Sequence, residues 1–542
     1  MMKNFLFWKL ALSLSLLAAA AFAQNSPPVK AGTASRPFAP LHVYYISPNG
    51  IDSNDGLTPA TAWATPKHRV VCGDVLIAAA GNYDRGQFGH ASFGNDRGNF
   101  GPVSNCPSTS GVIDNSGGIY FAILLCGGPD LMSCRVNGRS GPAFDIGRGN
   151  WAVEGFWATQ NKNAERACFG SLGTVAGTTW HHVAFINNIA STCDLAGFST
   201  GNVGIATAGA DQTAVVGGLV FDGASSLGPY RICGSAVSII PAPSADTSAG
   251  PHVYLSQNFI YGSINSTGAT ECTVTGDANY PHSDGNGIIF DTWAASSYPY
   301  QGVVTNNVIW GNGNACLQVF PQARAGWNDR AAIDIFNNTC YSNNQDLRAH
   351  CAAELYLHGI YPTEAGIYSV KNNIFLATLS TCGRGEYGPV VGAWVENANG
   401  VALTGSNTSI AGNYIWNSHP PATTTTGGGN TAVHNGHFFE SARWVFGTNT
   451  YDDPRLTNPG GLPAGPPDCA GYATTVSCMN GKYHVYDLIK PTVAATRLGY
   501  QPPGNCTADP SYPTWLKGVV YLHLDGTRLM EVDGLVTKPC GL

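Results

Sequence analysis

The sequence predicts an all-β solenoid, and three observations carry that expectation. The segments Val304-Thr-Asn-Asn-Val-Ile-Trp-Gly-Asn312, Ile335-Phe-Asn-Asn-Thr-Cys340 and Val370-Lys-Asn-Asn-Ile-Phe375 share one grammar: an apolar run, an Asn pair, and an apolar run again. The pair recurs at Asn307, Asn338 and Asn373, in steps of 31 and 35 residues, a period typical of stacked supersecondary units. Finally, 67 Gly and 33 Pro punctuate a chain of 542 residues of which only 11% are charged, so short strands joined by bends outweigh helices. Hydrophobic residues make up 44% of the chain, ample for a continuous core and contrary to disorder. The net charge of −7 speaks against a nucleic-acid partner.

In chain order, Lys3, the apolar run ending at Leu17 and the small residues Ala18 to Ala23 read as a secretory signal peptide over residues 1–23. Residues 24–40 carry Ser, Pro and Ala without periodicity and read as a flexible leader. No later apolar run approaches the roughly 18 residues that span a bilayer, so no membrane span is expected. His42-Val-Tyr-Tyr-Ile-Ser47 is rich in β-branched and aromatic residues and reads as the first strand. Thr65-Pro66 supplies an N-cap followed by Pro, which predicts a short capping helix toward Val71. Gly73 to Tyr83 reads as the next strand and its exit.

Here the chain resembles a known group of proteins. Tyr44-Tyr-Ile-Ser-Pro-Asn-Gly-Ile-Asp-Ser-Asn-Asp-Gly-Leu-Thr-Pro-Ala-Thr-Ala-Trp-Ala-Thr65, Gly73-Asp-Val, Gly81-Asn-Tyr and the Asn-Asn strand ends resemble secreted right-handed parallel β-helix proteins of the pectate-lyase-like superfamily. Asp453-Pro-Arg-Leu-Thr-Asn-Pro459 and Asp487 to Gly499 resemble the segment that closes such solenoids, with Thr492-Val-Ala in place of the usual Ser-Pro-Ala. The resemblance spans about Tyr44 to Gly499 and implies a right-handed parallel β-helix over residues 41–460, with residues 461–542 as a closing segment or small cap. It does not specify a reaction, because a fold hosts many chemistries.

Arg85 to Asn150 is less regular and reads as an insertion or large loops, while Trp151–Trp157, Val183–Asn188 and Val253–Asn258 read as returning strands. Pro241 to Gly250 and Pro420 to Asn430 read as loops. All 16 Cys fall between Cys72 and Cys540 without Cys-x-x-Cys spacing, which favours disulfides over zinc. Cys126 with Cys134, Cys340 with Cys351, and Cys469 with Cys478 are local pairs the spacing allows, and the sequence alone does not fix the connectivity.

The stretch His282-Ser-Asp-Gly-Asn-Gly-Ile-Ile-Phe-Asp291 is the richest in candidate chemistry. Alternation puts His282, Asp284 and Asn286 on one face, and Gly285 and Gly287 permit a bend that brings Asp291 round. The plain alternative is a polar bend satisfying its own backbone. Further on, Arg324, Trp327 and Arg330 could grip a uronate carboxylate and cover a sugar face, against the alternative of a solvated loop. Glu354, Tyr356 and His358 alternate along a strand, and they extend the polar stripe if they face the same way. His181-His182 lack an acidic partner in sequence and are expected to be non-catalytic. His434 and His437 near Glu440 have only loose metal-ligand spacing.

Two mechanisms fit these residues. A lyase neutralises the uronate carboxylate, with Ca²⁺ held by Asp284 and Asp291 or with Arg, while Arg330 or His282 removes the adjacent proton. A glycoside hydrolase instead needs two carboxylates, Asp284 with Asp291 or Glu354. The chain lacks the dense Asp-Asp cluster with a nearby Lys found in the best-known calcium-dependent pectate lyases. The reading is thus an exported monomer whose partner is a polysaccharide. The alternative is a non-catalytic, glycan-binding, adhesin-like or envelope solenoid.

Overall fold

Three long parallel sheets stacked coil upon coil build the molecule. The structure, a computed structural model, describes residues 40–89, 99–107, 120–139, 141–160, 167–171, 180–194, 196–200, 210–222, 234–240, 250–264, 285–290, 301–319, 332–345, 353–359, 367–378, 391–395, 408–418, 432–434, 438–440, 444–446, 448–492, 498–501, 514–516, 520–522 and 528–531. The first sheet has 12 strands, from Val43–Ile46 to Trp444–Phe446. The second has 10, from Gly81–Asp84 to Tyr414–Asn417. The third begins at Phe144–Asp145 and ends in the antiparallel pair Ala432–His434 and Phe438–Glu440. This is the right-handed parallel β-helix expected, and parallel crossovers take that hand almost without exception.

The Asn pair performs two separate jobs at the bend from first to second sheet. Its leading residue adopts the left-handed conformation, with φ of 53° at Asn306, 56° at Asn337 and 56° at Asn372. Asn tolerates this where most side chains do not. Gly412, with φ of 70°, takes the same place one coil on. The second residue turns inward and is buried. Asn258, Asn307, Asn338, Asn373, Asn413 and Asn449 form one ladder, each Nδ2 donating to the next Oδ1 at 2.8–3.0 Å. The same oxygens accept backbone N–H groups, so every rung satisfies a bend that would otherwise strand a buried donor.

Between the sheets lies one apolar column, including Val183, Phe185, Val215, Leu255, Val304, Ile335 and Val370 from the first sheet. At the N-terminal end it is aromatic: Phe88, Phe144, Phe169 and Phe198 stack at 4.7–5.1 Å. Phe88 is delivered by the helix Arg85–Phe88, capped by Asp84 in a capping box with Gln87.

Several expectations need correction. Thr65 starts no helix, because Asp52 takes both its N–H and its hydroxyl, at 2.9 Å each, and Val70–Val71 is a strand paired with Val103–Ser104. The Thr-Pro capping logic applies instead at Thr58-Pro59, where a capping box opens a 3-10 turn over Pro59–Thr61. The irregular stretch expected over Arg85 to Asn150 ends at Ala122, since Ala122–Cys126, Cys134–Asn137 and Phe144–Asp145 are regular strands of the three sheets, whereas no described residue between Asp84 and Ala122 joins those sheets. Cys340 pairs with Cys316 rather than Cys351, because both side chains enter the apolar column with Cα atoms 5.7 Å apart. The pairs Cys126–Cys134 and Cys469–Cys478 are as expected, and Cys72–Cys106 and Cys168–Cys193 complete the five among the described residues. No helix among the described residues is long and apolar enough to cross a membrane.

The outer face of the second sheet carries an aromatic row, with Phe221, Tyr261, Trp310 and Tyr341 in register. Residues 459–492 and 498–501 lie over it. Tyr261 donates its hydroxyl to the Gly465 carbonyl at 2.9 Å, and Trp310 Nε1 donates to Pro463 at 3.0 Å. The helices Thr475–Gly481 and Val485–Ile489 bury Cys478, Met479, Val485 and Ile489 against the same face.

Candidate functional site

The third sheet is where the candidate chemistry gathers. Its strands Ile288–Phe290, Leu317–Val319 and Leu355–Gly359 are consecutive neighbours. Longer segments join them to the first and second sheets than join the first to the second, where the chain passes through a two-residue bend. Ile288, Leu317 and Leu355 point into the core, so alternation turns Ile289, Gln318 and Tyr356, which pair in register, to the outer face. Asp145, Ser199 and Ser238 extend that row toward the N-terminal coils.

Asn286 and Glu354 leave this face. Each stands just before its strand, where a bend turns the side chain into the corner between second and third sheets. Asn286 is fully buried; its Oδ1 accepts Ala315 N–H at 3.1 Å and its Nδ2 donates to Ser235 Oγ at 3.0 Å. Glu354 is likewise fully buried and ends a second ladder. Asn312 Nδ2 donates to Asn343 Oδ1, and Asn343 gives its backbone N–H to Glu354 Oε1 at 2.8 Å and its Nδ2 to Oε2 at 2.6 Å. Burial lifts the Glu354 carboxyl to about 8, against the two hydrogen bonds that favour its charged form. A carboxylate so enclosed meets no polymer, which removes Glu354 from the expected stripe and as a hydrolase partner. Glu354, Cys316 and Cys340 also form a compact group of metal-ligating residue types, but the two sulfurs are joined in a disulfide.

Tyr356 is half-buried on the outer face, and His358 follows two residues later, its backbone paired with Trp394. His282, Asp284, Asp291, Arg324, Trp327 and Arg330 lie outside the described residues, as do His437 and Cys351.

One residue the sequence reading did not single out stands between Ile289 and Tyr356. Gln318 is 7% exposed, and among the described residues its carboxamide oxygen accepts no hydrogen bond. Stranding such an acceptor costs about 1–3 kcal/mol, and a buried group left unsatisfied in a site-bearing face invites a functional explanation. The available signal was a lone Gln between Leu317 and Val319 on a strand otherwise apolar.

No protein-family model matches the chain, and no curated protein does. Among solved structures, it is similar to pectate lyase Pel9A at 13% identity, over 75% of this chain and 89% of that one, with a TM-score of 0.31. A xylose complex of XylC matches at 9% identity, over 78% and 88% of the two chains, with a TM-score of 0.33. The A-module of the Azotobacter vinelandii mannuronan C-5 epimerase AlgE4 matches at 12% identity, over 62% and 86%, with a TM-score of 0.28. Likenesses of this strength carry no argument about the reaction.

Proposed function

We propose that the chain binds an extracellular polysaccharide across the outer face of the third sheet and cleaves it by elimination at a uronic acid. The observation that carries this reading is topological. The strand Ile288–Phe290 is preceded in sequence by His282 and Asp284 and followed directly by Asp291; the next strand leads into the segment holding Arg324, Trp327 and Arg330; the third carries Tyr356 and His358. Three separate stretches of sequence are thereby attached to three adjacent strands about 4.8 Å apart.

In this reading Arg324 binds the uronate carboxylate, while Trp327 and Tyr356 cover apolar sugar faces. Arg330 or His282 takes the proton from the carbon beside the carboxylate. The glycosidic C–O bond then breaks, a C=C bond forms in the ring, and the leaving oxygen is protonated. Asp284 and Asp291 are the oxygen donors for a Ca²⁺ that would lower the charge of the carboxylate. The five disulfides among the described residues suit an oxidising, extracytoplasmic compartment.

Incubation of the purified chain with acidic and neutral polysaccharides, with and without Ca²⁺, tests this. Ultraviolet-absorbing unsaturated products together with new reducing ends are expected, and Arg330→Ala or Asp284→Asn should abolish both. New ends without absorbance would mean hydrolysis by a carboxylate pair. Retention on a polymer column with no cleavage would leave the binding-protein reading standing.

A further inference from the structure

In a stack of coils most contacts join nearest neighbours, so each coil's stability is set locally and opening starts at the ends. Residues 459–492 break that rule. The chain reaches them from the C-terminal end of the second sheet, where Ile415 N–H donates to the Thr450 carbonyl at 3.0 Å and Thr450 N–H to the Asn413 carbonyl at 2.8 Å. It then runs back along that sheet toward the N-terminal coils. On the way Pro463 and Gly465 accept from Trp310 and Tyr261. Asp130 Oδ2 accepts Gly471 N–H at 2.8 Å across 341 residues of sequence, and Leu131 N–H donates to the Tyr472 carbonyl at 3.0 Å. Asn187 donates from Nδ2 to the Ala473 carbonyl at 2.9 Å and accepts Thr475 N–H at 2.7 Å.

The segment is tied at its tip and at its base. Near the tip Cys469 and Cys478 are joined and fully buried. At the base the outgoing and returning limbs pair, Asn458 N–H donating to the Leu488 carbonyl and Thr492 N–H to the Arg455 carbonyl, each at 3.0 Å. Between them Leu462, Met479, Val485 and Ile489 share one apolar cluster with Ile189, Leu219, Phe259 and Val308, which stand in register on four successive strands.

We propose that residues 459–492 are a brace that couples the early coils to the later ones, so that the stack from Cys134–Asn137 to Val308–Trp310 opens as one unit. Five strand steps separate those two strands, a span of about 24 Å. A tie anchored at both cannot stay docked when either opens. Losing the turn at Asp130 frees the tip, and the apolar face beneath the limbs then meets water. Opening at one end therefore carries the cost of the other, and the coupling is equal in both directions. The brace is independent of the reaction proposed for the third sheet.

Native-state hydrogen exchange of the full chain, read by mass spectrometry, tests this. Asp130→Asn keeps an oxygen for Met132 N–H and the Ser133 hydroxyl but sets an amide against Gly471 N–H. Exchange in Val308–Trp310 is expected to quicken by about fivefold, the same factor as in Cys134–Asn137, because one lost hydrogen bond affects every amide of a single opening unit alike. Tyr261→Phe with Trp310→Phe frees the brace from the later coils, and in that background Asp130→Asn should no longer reach Val308–Trp310. If Asp130→Asn does not fold, Asn187→Gly serves, since it keeps the left-handed φ of 53° and removes both brace contacts. A change confined to the tip and the strand beside the substituted residue overturns the proposal. So does a change at Val308–Trp310 that persists in the triple variant, since the stack itself would then carry the coupling.

Discussion

Glu354 stands two residues before Tyr356, and alternation alone would put both on one face. The bend before Leu355 turns Glu354 into the corner instead, where it accepts from Asn343. With the folded value raised to about 8 from an ordinary 4.5, the folded chain holds a proton that the unfolded one releases. Stability is then full below 4.5 and falls as pH rises toward about 8. Urea midpoints should drop over that window, and Glu354→Gln should flatten the slope; an equal slope in the variant would place the titrating group elsewhere. Gln318 offers a contrast. Removing its unsatisfied amide in Gln318→Leu should leave stability unchanged or raised by about 1 kcal/mol, while polysaccharide affinity falls if the outer face is the binding face. Unchanged affinity would take Gln318 out of the site. The role of Glu354 was not legible in sequence, because periodicity gives the face of a residue within a strand but not where the strand begins, whereas Gln318 left the signal of a lone amide in an apolar strand.

The Asn ladder is the element whose sequence signal and structural role agree most closely. Recurrence of the pair pointed to stacked bends, and the structure adds the division of labour between its two members. Asn306→Gly keeps the left-handed φ and should cost about 1 kcal/mol or less. Asn307→Ala strands the backbone N–H and side chain of Asn258 and should cost at least about 2 kcal/mol by denaturant unfolding. Equal costs for the two would contradict this division. The disulfides show the opposite case. Cys340 is nearer in sequence to Cys351, but stacking brings it to Cys316, and peptide mapping without reduction should recover the Cys316–Cys340 link. The cap at Thr58 likewise won over Thr65 for a tertiary reason, since Asp52 claims Thr65 from across the turn.

Across the whole molecule, residues 459–492 cover the aromatic outer face of the second sheet. Truncation after Thr457 should bare Phe221, Tyr261 and Trp310, seen as binding of a hydrophobic dye and loss of solubility; a truncated chain that stays soluble and binds no dye would show the segment to be dispensable. The all-β class, the coil period and the bend chemistry were determined by the sequence alone, because each depends on local conformational preference or on a repeat that stacks only one way. Which polar residues face the outside, which cysteines meet and what covers each sheet were decided by the tertiary structure. Those outcomes depend on residues a coil or more apart in the chain, brought within a few ångströms by stacking, and no local pattern encodes that distance.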